Sequence, residues 1–257
     1  MVVSADQEFN HFIFRQEEKL VVQWYTDLFE QLFKKGQSSP DHGQSIHKYM
    51  RNLILSHFGV DCLKQKLLPQ FEQLVQTTLK SWSIQHSSIE VKSASVAMFG
   101  EFGAKQLFGY DLANSKHLLT DNFISFSNGL MSLPLNIPGT WYHKCLKDKE
   151  KVVNIIRDIV KERKEKNNTI KDDLLGRMIK DMKNYNFLTE ELITQLLFGF
   201  LFVSFESVPS VLLFALKFIS ENPNVLHELT VVNETLRLAN IIPGFLRKAV
   251  KDIQVNA

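Results

Sequence analysis

Cysteine is almost absent from this 257-residue chain: there are two, Cys62 and Cys145, far apart and with neither a CxxC spacing nor a paired histidine. A disulfide framework and a structural zinc site are therefore not expected, and reduced thiols in a cytosol-facing protein are. Glycine (11) and proline (7) are also scarce, so the sequence has few points at which a helix must stop. Alternating Val/Ile/Thr runs are few, which predicts little strand. Charge of either sign is not in excess: 30 Lys+Arg against 28 Asp+Glu leave a net charge of +2, which argues against nucleic acid or a strongly acidic partner. The opening MVVSADQEFNHFIFRQEEKL has no basic start followed by a long apolar run, so it reads as neither signal peptide nor anchor, and the chain reads as cytosolic.

What is present is apolar residue at helical spacing. With 44% hydrophobic and 23% charged residues, the chain can bury a substantial core as one domain over 1–257. The spacing predicts a short strand and then a helix in VVSADQEFNHFIF, with Asp6 as N-cap and Val2, Val3, Ile13 and Phe14 buried. A helix is predicted through VVQWYTDLFEQLF, an exposed loop at GQSSPDHGQ, and a helix at IHKYMRNLILSHF. Core helices follow over Cys62–Ser81 and Ser88–Phe108, the second with small residues suited to close packing. MSLPLNIPGT interrupts helix before a charged helix from Trp141 to Lys166. Between Lys144 and Lys171 ten Lys/Arg face five Asp/Glu, a solvated face or else a membrane- or reductase-facing patch.

Thr189 is placed to cap a long apolar helix, with Glu190 and Glu191 in its first turn, and Asn222-Pro223 to start another. The uncharged run Leu192–Phe205, extended past Glu206 by Ser207–Leu216, approaches membrane-spanning length. An ionised Glu206 at mid-bilayer would cost roughly 2.5 kcal/mol or more, so a buried core helix is the expectation. Pro209 removes one helical N–H and crowds the Phe205 carbonyl, which predicts a kink at Glu206 and Ser207. Glu234 and Arg237, three apart, share a helix face; by itself that is an ordinary surface pair. His47 and Arg51, four apart, also share a face, and an exposed helical arginine is the plain alternative. The remaining histidines, His57 among them, show no ligand spacing and read as surface or satisfied core residues.

The segments VVSADQEFNHFIF, HKYMRNL, LPLNIPGTWYHKC, FVSFES and NETLRLANIIPGFLRKAVKD together resemble cytochrome P450, most of all the plant members that oxidise brassinosteroids, sterols and triterpenoids. The resemblance implies a mainly α, incomplete P450-like helical fold with a few short strands. It implies that Glu206 and Ser207 match the proton relay of the oxygen groove, with Ser207 where threonine is more usual. His47, Arg51 and Arg247 match the cations of the haem propionates, and Glu234 and Arg237 the structural Glu-x-x-Arg pair. Haem is the cofactor of the intact family, its partners are NADPH-cytochrome P450 reductase and an apolar small molecule, and its place is the cytosolic face of the endoplasmic reticulum membrane.

Against that pattern the chain lacks the loop Phe-x-x-Gly-x-Arg-x-Cys-x-Gly, so neither cysteine matches the iron ligand and no metal residue is assigned. Thiolate donation is what favours O–O cleavage in P450s. The expectation is a truncated member, without anchor or proline hinge before Met1, with an internal deletion near 230/231 and without the C-terminal third, that does not bind haem stably and is inactive. The alternative is a non-catalytic helical protein that binds lipids or partner helices, or associates with a membrane surface. A helical membrane protein unrelated to P450 ranks last.

Overall fold

The computed structural model describes residues 2–24, 43–85, 88–110, 118–130, 132–166, 171–222, 224, 231–239 and 244–254. Two compact units are present, one of residues 1–34 with 242–257 and one of residues 35–241.

In the smaller unit, helix α1 (Gln7–Arg15) starts where Asp6 accepts a hydrogen bond from the Phe9 N–H at 2.6 Å, as its N-cap position predicts. Strand β1 (Val21–Gln23) pairs antiparallel with β2 (Arg247–Ala249), Val21 opposite Ala249. The sequence expectation of a helix through VVQWY is therefore corrected at its start. The β-branched Val21-Val22 satisfies its backbone across a ladder whose partner is more than two hundred residues away; the remainder of that segment, with the GQSSPDHGQ loop up to residue 42, lies outside the described residues. No strand forms before α1, and Val2 and Val3 are exposed, Phe14 about half so and Ile13 partly buried. The described residues of this unit form one short helix and a two-stranded ribbon, which offer little surface to cover them. Phe14 instead packs edge-on against Phe245, ring centroids 5.9 Å apart.

Among its described residues the larger unit holds helices joined by turns and loops, and no strand. Helix α2 (Gly43–Phe58) leads through a single turn, Val60–Cys62, and a π-helical segment, Leu63–Leu67, into α3 (Leu68–Gln85). Helix α4 (Val91–Phe108) is capped by Glu90, whose carboxylate accepts from the Lys92 and Ser93 N–H groups, and ends on Gly109, which takes the left-handed φ of 63° that a glycine tolerates. Then come α5 (Leu118–Gly129), α6 (Trp141–Glu165, capped by Thr140), α7 (Leu174–Asp181, capped by Asp173), α8 (Glu190–Glu221, capped by Thr189) and α9 (Val231–Leu238). The segment from Asn222-Pro223 that was expected to open a helix is described only at Asn222, the C-cap of α8, and at Asn224.

α8 packs on α4 and α6, and α5 on α6. Their facing sides hold the fully buried rings of Phe108, Phe123, Phe126, Phe198 and Phe205. Each such ring contributes about 1.5–3 kcal/mol through burial, with edge-to-face pairs adding to it. α3 departs from the expected core helix: none of its described side chains is fully buried, though Phe71 stacks on Phe99 at 5.1 Å and Gln70 accepts from Gln106 at 2.8 Å. The basic helix α6 is tied down by acids, with Arg163 on Asp173 at 2.7 Å, Arg157 on Glu191 at 3.3 Å and Lys164 on Glu190. The solvated-face reading of that stretch fits these pairs.

Candidate functional site

The residues matched to the oxygen groove lie at the middle of α8, and close helix packing fixes them. Gly100 of α4 admits the Phe205 ring so tightly that a β-carbon there would come within 2.3 Å of it, and Gly103 likewise admits Ser204, whose Oγ would lie 2.6 Å away. The Phe205 ring stacks on Phe123, centroids 4.4 Å apart and planes 18° from parallel. Glu206 and Ser207, next along the helix, are both half-buried. Adjacent helical residues point about 100° apart, so their side chains diverge.

Helix α8 continues through Pro209. Its ring removes the donor for the Phe205 carbonyl, and one residue on the Ser210 hydroxyl donates to the Glu206 carbonyl at 2.7 Å, a local bond of the kind that bends helices. Burial is uneven along α8. The inward residues from Leu192 to Phe205 and Pro209 are covered, whereas beyond Pro209 none is fully buried, and Val203, Val208 and Leu216 are 50%, 40% and 43% exposed. The core-helix expectation therefore holds for the first half only. By length and composition α8 is also the one described helix apolar enough to cross a membrane.

His47 and Arg51 are both exposed on α2. Arg247 belongs to the smaller unit, where its guanidinium pairs with Glu17 and lies 5.4 Å from the Phe14 ring centroid. On α9 Arg237 is exposed, while the side chain of Glu234 falls outside the described residues. Between them Thr235 is buried, its hydroxyl without a hydrogen-bond partner among the described residues.

An axial sulfur donor to haem must be an ionised thiol facing open space. Cys145 is fully buried on α6 and donates to the Phe126 carbonyl at 3.3 Å, and burial, helped by the Asp148 charge, pushes its thiol up to about 11. Cys62, partly buried, sits in the turn before the π-helical segment. Among the described residues no group of three His, Cys, Asp or Glu converges as a metal would need. The Cys145 thiol does not fit the iron ligand of haem.

Sequence reasoning missed two features joined only by the fold. Tyr49 of α2 donates to the Asp181 carboxylate of α7 at 3.0 Å, across 132 residues. His57, expected to be a surface or satisfied residue, is fully buried with neither ring nitrogen partnered among the described residues. No local spacing signals either one, because the neighbours come from distant helices.

The search for a matching family model found none. Individual relatives are plain. The chain is 37% identical over 99% of its length to cucurbitadienol 11-hydroxylase of Siraitia grosvenorii, and 36% identical over its whole length to beta-amyrin 16-alpha-hydroxylase of Maesa lanceolata. It covers 60% of each, so it spans about three fifths of the length of the curated relatives it matches. Among solved structures it superposes on a retinoic acid-bound cyanobacterial CYP120A1 with a TM-score of 0.82 at 20% identity, over 97% of this chain and 62% of that one. Sequence likeness that runs from end to end and a matching fold agree: the chain belongs to the cytochrome P450 family.

Proposed function

We propose that the chain derives from a haem monooxygenase that hydroxylates an apolar triterpenoid- or sterol-type substrate with molecular oxygen and reductase-supplied electrons, and that these 257 residues alone do not perform that reaction. The single observation that carries the substrate class is the end-to-end likeness to two relatives named as hydroxylases of triterpenoids. The inactivity rests on the thiols: Cys145 is a buried, neutral hydrogen-bond donor and neither cysteine lies in a haem-loop sequence. Oxygen activation is accordingly assigned to none of the residues of this chain. Glu206 and Ser207 supply the polar break in α8, and His47, Arg51 and Arg247 the cations, that the intact relatives would use.

The alignments run to 285 and 287 positions against 257 residues, so the relatives hold a few tens of residues with no counterpart here. This supports a deletion, read near 230/231 at the junction of HELT with VVNETLR, in a partial P450 domain over 1–257. The family partner would be NADPH-cytochrome P450 reductase at the cytosolic face of the endoplasmic reticulum.

The test is spectroscopic. The purified chain, supplied with haemin and reduced under carbon monoxide, is expected to lack the red-shifted Soret band of thiolate-ligated haem; its appearance would overturn the assignment of inactivity. For the substrate class, a longer transcript that includes a haem-cysteine loop, expressed with the reductase, should convert tetracyclic or pentacyclic triterpenes to products one oxygen heavier. Conversion of fatty acids with no triterpene product would refute it.

A second reading, a non-catalytic helical protein binding lipid or a partner, is favoured by one observation: the bare apolar positions Val203, Val208 and Leu216 of α8. A stable monomer on size-exclusion chromatography that takes up no lipid from vesicles would dismiss it.

A further inference from the structure

A cleft of about 340 Å³ opens between α2 and α7, apart from the middle of α8, at the lower end of the size range of small-molecule sites. Its walls follow from helical spacing. Tyr49, Asn52 and Ser56 stand three and four apart on α2, as Arg177 and Lys180 stand three apart on α7, so each set forms a stripe on one face. Tyr185, just past α7, completes the lining.

Part of the lining is aromatic. The Tyr49 and Tyr185 rings are 5.1 Å apart, Phe187 lies 5.4 Å beyond Tyr185, and Tyr185 remains 41% exposed. Asp181, the acid of the lining, is engaged by the Tyr49 hydroxyl at 3.0 Å; burial, reinforced by that carboxylate, keeps the phenol protonated. The lining also carries two cations. Among the described residues Arg177 holds only long contacts, 3.4 Å to the Ser56 carbonyl and 3.7 Å to Asp172. Lys180 is exposed and makes no ion pair among the described residues. The Asn52 amide belongs to the same lining. An aromatic platform with two cations against one acid matches a planar ring that carries a carboxylate.

We propose that this cleft binds a small aromatic carboxylate, its ring against Tyr49 and Tyr185 and its carboxylate toward Arg177 and Lys180. The site is independent of the haem-linked reading of α8. His57 lies directly behind Ser56, fully buried with both ring nitrogens unpartnered. Its charged surroundings are Arg177, Lys66, Asp172 and Asp173, so neutralising Arg177 from the cleft alters the field at the imidazole.

The experiment is a titration of the ¹⁵N-labelled full chain with benzoate, neutral benzamide and inorganic phosphate, followed by amide correlation spectra. Benzoate is expected to give saturable shifts in α7 and the second half of α2, with a dissociation constant of about 1 mM, and to move the His57 ring signals. Lys180→Gln alters an exposed side chain and is expected to weaken benzoate about tenfold while the thermal midpoint stays unchanged; Tyr185→Ala, whose ring packs on Tyr49 and Phe187, is expected to weaken it likewise with a somewhat lower midpoint. Absence of saturable shifts overturns the proposal. Equal binding of benzamide would reveal a plain apolar slot, and equal binding of phosphate with no effect of Tyr185→Ala a bare anion site; both refute it.

Discussion

The ring of Phe205 rests directly on Gly100: α4 and α8 approach so closely that a β-carbon at Gly100 would lie 2.3 Å from the ring edge. Phe205 is itself held by Phe123, whose ring stacks on it at 4.4 Å. Gly100→Ala is therefore expected to destabilise the larger unit by about 1–3 kcal/mol through overpacking, read as a lower urea midpoint. An unchanged midpoint would mean that the two helices separate freely.

Asp173 performs two tasks at once. It accepts the Gly176 N–H at 2.8 Å as N-cap of α7 and pairs with Arg163 at 2.7 Å, both partners being largely buried. Asp173→Ala removes the cap and leaves the guanidinium without its counter-charge, an expected loss of about 3–5 kcal/mol in chemical denaturation. Asp173→Asn keeps a capping oxygen and should recover part of that loss; no recovery would assign the whole effect to the charge.

With its thiol held up near 11 by burial, Cys145 is predicted to resist alkylation at pH 8 while the partly exposed Cys62 reacts. Counting labelled thiols by mass spectrometry should give one per folded chain and two in denaturant. Because the folded value lies above that of the unfolded thiol, near 8.5, the buried protonated form contributes stability that is complete below about pH 8.5 and is lost as the pH rises toward 11. Two thiols labelled at equal rates in the native protein would contradict this.

His57 carries the opposite sign. Burial first, and then the charges of Arg177 and Lys66, lowers its proton affinity in the folded chain, so the neutral ring contributes stability above the ordinary histidine value of about 6.5 that is lost as the pH falls below it. Denaturation midpoints should drop between about pH 7 and 5, and His57→Leu should flatten that slope. A slope indifferent to the substitution would show that carboxylates elsewhere are responsible.

Much of the helical scaffold was readable because its signals are local. Asp6, Thr140 and Thr189 each accept a backbone N–H within three residues of themselves, and the proline pair in LPLNIP separates α5 from α6. The small residues of Ser88–Phe108 foretold close packing, and Gly100 and Gly103 provide it. What could not be read depends on partners far along the chain. Val21 and Val22 look helical beside WYTDLF until Ala249 and Lys248 are placed opposite them. α3 shows the periodicity of a core helix, yet periodicity identifies a face and not how much covers it. At the site, position along α8 was legible for Glu206 and Ser207, whereas the Tyr49–Asp181 bond and the burial of His57 arise only once α2 and α7 meet.

The β1–β2 ribbon joins two segments more than two hundred residues apart, Gln23 opposite Arg247. On the ribosome, Val21 and Val22 must wait, unpaired and aggregation-prone, until the stretch up to Ala249 has been made. Everything translated between them has time to fold before this ribbon can form, and a premature stop anywhere before Arg247 would leave that nascent edge without a mate.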